Sequence, residues 1–171
     1  MKVFQTFKDF FFILNLNIHF HQVISWWENL CLMLGCFFSF LLYLRLKGRD
    51  SSNNGEGKLC RICNLLVIGK DHHCVWLDTC ISSSNRTTFM QFLGITSVTA
   101  THLCLLLSST ACPGSLIGPV LLPELCWPDH PNMRLLLVGG IYSGLIASLL
   151  AILLIYQIVK IWRVKTVTHN L

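Results

Sequence analysis

The chain has 171 residues, enough for one ordinary domain, with 53% apolar residues, 12% charged residues and a net charge of +5. A typical soluble domain carries roughly 25% charged residues, so this supply cannot cover a water-facing surface, and a soluble globular fold is excluded. The basic excess is small and gathers mostly in two segments, which fits membrane topology; no nucleic-acid partner is expected.

Residues 1–25 read as an apolar, interfacial segment. Phe10 to Ile18 is short for a crossing, and Asn15 and Asn17 interrupt it. Lys2 and Lys8 give the charged start of a signal peptide, but Asp9 follows and no small-residue cleavage site is evident. A span is expected over 26–44. Its clean apolar part, Leu30 to Leu44, is extended by Trp26 and Trp27 as interfacial anchors, with Glu28 at the edge. Arg45, Lys47 and Arg49 stop it. A polar loop fills 45–88, and Asp50 to Lys58 is a flexible linker within it. Spans follow over 89–111 and 135–159. Both are uncharged throughout and exceed the ~20 residues a helix needs to cross ~30 Å of hydrocarbon. Between them, 112–134 holds all five prolines of the chain, which no regular helix survives.

Charge orients these spans. The 45–88 loop carries seven Lys/Arg and the 160–171 tail carries Lys160, Arg163 and Lys165, whereas 112–134 carries Arg134 alone. The 45–88 loop and the tail are therefore expected to be cytoplasmic and 112–134 lumenal. In an oxidising lumen Cys112 and Cys126 can pair, or remain free thiols. Gly140 and Gly144, with Ser143, Ala147 and Ser148, give the last span a small-residue face. Close helix packing is the plainer meaning and the wall of an acyl cavity the sharper one. His102 lies mid-span, a functional candidate or a neutral histidine bonded to a neighbouring helix.

The chemistry concentrates in the loop. Cys60 and Cys63 form a C-x2-C pair whose thiolates can reach one metal from a tight turn. His73 and Cys80 complete a set of three cysteines and one histidine. In a cytoplasmic loop with little apolar material, zinc is the natural source of folding energy. Cys60, Cys63, Cys74 and Cys80 make an equally acceptable all-cysteine set. Successive side chains of an extended segment face opposite ways. His73 can thus face a metal while His72 and Cys74 face away together, a pairing suited to thiolate formation, with Asp71 able to orient His72.

Residues 60–89 resemble the DHHC palmitoyltransferases, the integral-membrane protein S-acyltransferases. The resemblance is carried by Cys60-x2-Cys63, Asp71-His72-His73-Cys74, Trp76, Cys80, Asn85 and Phe89, and by a loop set between spans. It implies an all-α membrane protein of about three transmembrane helices, with a fourth, N-terminal one either absent or degraded, and a small zinc-bound cysteine-rich domain. It implies Cys74 as nucleophile, His72 as general base, Asp71 as orienting carboxylate, and one structural Zn2+ on Cys60, Cys63, His73 and Cys80. The implied reaction moves a long-chain acyl group from palmitoyl-CoA through an acyl-enzyme on Cys74 to a membrane-proximal cysteine of a substrate protein. The implied location is the Golgi or endoplasmic reticulum membrane.

Where the family places ligands of a further zinc site, this chain has Leu59 and Leu66; Val75 and Ser82 replace a usual Pro and Gly. A Thr-Thr-x-Glu motif after the last span is echoed only by Thr166-Val-Thr168. Two other readings therefore stay open: a non-catalytic membrane protein whose zinc loop is an interaction surface, and a truncated isoform.

Overall fold

α1 (Trp26–Lys47) starts where Ser25 and Glu28 close a capping box. The Ser25 backbone N–H donates to Glu28 Oε2 at 2.9 Å, and the Glu28 N–H donates to Ser25 Oγ at 3.4 Å. Two donors that the first turn would leave unpaired are thereby satisfied. The computed structural model describes residues 25–47, 57–111 and 133–169. The expected interfacial segment before residue 25, most of the linker, and the loop holding Cys112 and Cys126 lie outside the described residues.

Among the described residues, three helices are long and apolar enough to cross a membrane: α1, α2 (Arg86–Ala111) and α3 (Met133–His169). α2 is the central one, packing most heavily on α3 and next on α1. Its partners leave much of α1 and α3 open, with Phe37, Phe38, Leu41, Leu145, Leu149 and Ile152 exposed. An apolar flank of that extent is lipid-facing surface. The expected last span ended at Val159, but the helix runs on through the basic segment to His169. No Gly or Pro interrupts 160–169, and cations suit the negative end of the helix dipole.

The small residues of α3 do one job. A Cβ placed on Gly144 would sit 3.1 Å from Cys104 Sγ, and one on Gly139 3.2 Å from Leu107 Cδ1. Ser97 Oγ of α2 donates across to the Ala147 carbonyl at 3.1 Å. The space beside this face is thus filled by α2: small residues let two backbones approach where hydrocarbon offers no hydrophobic drive. The other hydroxyls mostly turn back on their own helices, as Thr99 does to Ile95 O and Ser148 to Gly144 O. His102 is half-buried on α2.

Between α1 and α2, where a small zinc-bound cysteine-rich domain is expected, the described residues form two antiparallel hairpins. β1 (Lys58–Cys60) pairs with β2 (Leu65–Val67), and β3 (Lys70–Cys74) pairs with β4 (Thr79–Ser82). Gly69 joins the hairpins at φ +61°, and its carbonyl accepts from the Ser83 N–H at 3.0 Å. Glycine is needed there twice over. The φ is left-handed, and any Cβ would run into Ser83 Oγ.

One apolar cluster fixes the second hairpin to the helices. Cys74, Leu77 and Ile81 of the hairpin pack with Leu46 of α1 and Phe89, Phe92 and Leu93 of α2; Leu150 and Leu154 of α3 close over them. Lys47 at the end of α1 donates to the Asp78 carbonyl at 3.0 Å. Lys160 near the end of α3 donates to Asp71. The hairpins, the start of α2 and the ends of α1 and α3 therefore share one end of the bundle.

Candidate metal and thiol site

The turn after β1 sets the first two ligand candidates. Cys60 ends β1 and is fully buried, and Cys63 sits three positions on in a turn closed by Asn64 at φ 53°. Across from them, His73 and Cys80 are register partners on β3 and β4. The nearest atoms are Cys63 Sγ and Cys80 Sγ at 3.4 Å. Cys60 Sγ and Cys80 Sγ each lie 3.6 Å from His73 Nδ1. All four ligand atoms fall within 4.8 Å of one another. A tetrahedral zinc with bonds of ~2.3 Å to sulfur and ~2.0 Å to nitrogen has ligand–ligand edges of about 3.5–3.8 Å. The donor set and its spacing fit a single ion with little adjustment. Cys74 is not in this group and belongs to the apolar cluster.

Electrostatics divide Cys60 from Cys80. The Cys63 backbone N–H turned on Cys60 pulls that thiol down to about 5. Burial pushes Cys80 up to about 12, so its thiolate calls for a cation; a bound metal deprotonates a coordinating thiol outright. His73 Nε2 lies 3.9 Å from Asp78 Oδ1, an exposed carboxylate beyond hydrogen-bond reach.

The opposite side of β3 carries the remaining groups. The β3–β4 register is irregular between Lys70 and His72, so Asp71 has no partner in the ladder. Strict alternation would have put Asp71 on the His73 side. The bulge re-aims it toward His72: Asp71 Oδ2 lies 3.5 Å from His72 Nδ1. That is longer than a hydrogen bond, as such contacts commonly are before substrate arrives. The Asp71 side chain is 6% exposed, with Lys160 on Oδ1 and Arg86 Nη2 3.8 Å from Oδ2. Burial works to raise its carboxyl, but the Lys160 hydrogen bond and the charges of Lys160, Arg86 and His72 outweigh it and hold the group below its usual value. The His72 ring meets Phe89 edge-on at 5.7 Å, and Phe89 is in the Cys74 cluster.

A family model described as DHHC palmitoyltransferase matches residues 49–171. The chain belongs to the DHHC palmitoyltransferase family. Relatives include palmitoyltransferase ZDHHC23-B of Danio rerio, 31% identical over 105 residues, covering 60% of this chain and 24% of the relative. Palmitoyltransferase ZDHHC23 of Mus musculus is 40% identical over 53 residues, 31% of this chain and 12% of its own. Palmitoyltransferase ERF2 of Kluyveromyces lactis is 39% identical over 49 residues, 29% and 14%. The chain thus spans a quarter or less of the length of these curated relatives. No solved structure matches it.

Within this DHHC chain, Leu59 and Leu66 are cross-strand partners in the β1–β2 hairpin, 60% and 46% exposed. The two positions noted above as lacking the ligands of a further zinc site are thus an apolar cross-strand pair, which adds to the hairpin's stability.

Asn85 is the hinge between the hairpin and the membrane. Its Oδ1 accepts from the Ser82 N–H at 2.8 Å, its Nδ2 donates to the Cys80 carbonyl at 2.9 Å, and its own carbonyl accepts from the Phe89 N–H at 2.9 Å. It is 3% exposed. Asn85→Ala is expected to cost about 1–3 kcal/mol, because the Ser82 N–H and the Cys80 carbonyl lose the side-chain partner that pairs them. Thermal unfolding in detergent measures that loss, and weaker metal retention through Cys80 should accompany it.

Sequence reasoning passed over Lys160, Arg86, Lys47 and Asp78. The three cations were visible only as charges near span ends, where topology alone accounts for them, and Asp78 only as one acidic residue of the polar loop.

Proposed function

We propose that the chain is a protein S-acyltransferase acting through an acyl-enzyme on Cys74. The observation that carries this is the division of labour on β3. His73 faces three cysteine sulfurs on one side, while Asp71 and His72 are brought together on the other, at the membrane end of three spans. In this reading Cys60, Cys63, His73 and Cys80 hold one Zn2+, which ties the first hairpin to the second. His72 takes the Cys74 proton and Asp71 holds the His72 ring. The Cys74 thiolate attacks the thioester carbonyl of palmitoyl-CoA, and the CoA thiolate leaves with the proton from His72. A membrane-proximal cysteine of a substrate protein then gives its proton to His72 and attacks the Cys74 thioester, and Cys74 leaves as thiolate beside the protonated His72. One thioester replaces another, so no further energy source is required.

The burial of Cys74 beside Leu154 and Phe92 supports this chemistry at an apolar border. A palmitoyl chain gains ~0.8 kcal/mol per buried methylene, and a thiol at the end of a helix bundle lets the chain stay among helices while its carbonyl reacts. The 45–88 loop and 160–171 tail would be cytoplasmic, 112–134 lumenal, and the membrane that of the Golgi or endoplasmic reticulum.

Purified protein given labelled palmitoyl-CoA should form a hydroxylamine-sensitive adduct that Cys74→Ser abolishes. A well-folded, zinc-bound sample with no adduct would overturn the reading. That outcome would select a non-catalytic membrane protein with the hairpins as an interaction surface, which the exposed Leu59–Leu66 pair favours.

A further inference from the structure

Lys160 is the first charge after the uncharged stretch of α3, and its ammonium leaves the bundle end to meet a catalytic-strand carboxylate rather than open water. Its side chain is 40% exposed, as suits a lysine stem lying along apolar helix surface, while its partner Asp71 is 6% exposed. A buried carboxylate without a partner is costly, so the pair is a fixed point between α3 and β3.

The two oxygens of Asp71 are in different situations. Lys160 occupies Oδ1. Oδ2 is shielded from solvent and has no hydrogen-bond partner, with His72 Nδ1 at 3.5 Å and Arg86 Nη2 at 3.8 Å. Arg86 Nε is also buried and unpaired. Two cations therefore flank one carboxylate, and their competition decides where Oδ2 points. With Lys160 in place, Oδ1 is held and Oδ2 stays beside His72. Without it, the bulged Asp71 can turn both oxygens onto the Arg86 fork, which is shaped for bidentate carboxylate binding, and leave the His72 ring unsupported.

We infer that Lys160 is a positioning residue: it reaches from the end of α3 to hold Asp71 against His72 and keeps Arg86 from capturing the carboxylate. This rests on the acyltransferase reading above, and it assigns to a residue of the last helix a role in the chemistry of the hairpin.

The test measures the rate of Cys74 acylation across a range of palmitoyl-CoA concentrations, together with bound zinc, in the wild type, Lys160→Met and Lys160→Arg. Lys160→Met should lower the saturating rate about 10–100-fold, the scale of a misplaced catalytic group. Its half-saturating palmitoyl-CoA and zinc content should stay at wild-type values. Lys160→Arg, which keeps the charge, should recover most of the rate. In an Asp71→Asn background, adding Lys160→Met should cost nothing more, since residues acting as one unit do not add.

The inference is overturned if Lys160→Met acylates at the wild-type rate. It is overturned if only half-saturation rises, which would make Lys160 a contact to the phosphates of CoA. Loss of zinc, no rescue by arginine, or an added loss on Asp71→Asn would each make Lys160 a packing residue instead. If zinc-bound wild type forms no adduct at Cys74, the acyltransferase reading itself fails, a result distinct from all of these.

Discussion

Cys60→Ser is expected to abolish metal binding and unfold the first hairpin, while Cys74→Ser keeps both. Cys60 is fully buried, and its sulfur lies against His73 Nδ1 at 3.6 Å, inside the four-ligand cluster; Cys74 lies outside it. Each strand of the first hairpin spans three residues, and an isolated pair of that size is marginal in water. Metal binding to such sites supplies about 10–16 kcal/mol in comparable peptides, far more than the Leu59–Leu66 pair can. Elemental analysis should give one zinc per chain for the wild type and Cys74→Ser, and close to none for Cys60→Ser. A strong chelator should reproduce the Cys60→Ser state, read as new protease sensitivity within 57–85. Zinc lost on changing Cys74 would shift the ligand set to Cys60, Cys63, Cys74 and Cys80.

His72→Ala should reduce Cys74 acylation by about 10²–10⁴-fold, the usual contribution of a positioned general base, with zinc retained. Its ring packs edge-on against Phe89 and faces Asp71, not the sulfur cluster. His73→Ala should instead behave like Cys60→Ser, because His73 Nδ1 touches both Cys60 and Cys80. Two neighbouring histidines would then fail in different ways, one in rate at full metal content and one in metal content itself. Equal zinc loss in both variants would refute the separation of roles on β3.

Much of this was legible because membrane spans and metal sites both leave local marks. Uncharged runs marked α2 and α3, and the C-x2-C spacing with His73 and Cys80 marked the cluster that the hairpins close around. What alternation could not supply was the side on which Asp71 falls. A period of two puts residues 71 and 73 together, and only the unpaired residue in β3 separates them. Contacts of long sequence separation were equally hidden. Lys160 reaches Asp71 across 89 positions, and Lys47 reaches Asp78 across 31. In composition both lysines are explained by topology, and nothing local says which carboxylate each will meet. The continuation of α3 past Val159 was obscured by reading the end of the apolar run as the end of the helix, although hydrocarbon thickness limits the apolar stretch and not the helix.

The unpaired Asp71 also governs what kind of sequence change this loop can absorb. A substitution in β3 alters one side chain and leaves the rest aimed as they were. Removing or inserting a single residue between Lys70 and His72 changes the count on which the bulge depends, and a shift of one exchanges the two faces of a strand. Asp71 would turn from His72 toward the thiolates, or the histidines would trade places. For these few positions, length is under tighter constraint than identity, and an alignment gap there would signal loss of the site more surely than a changed letter.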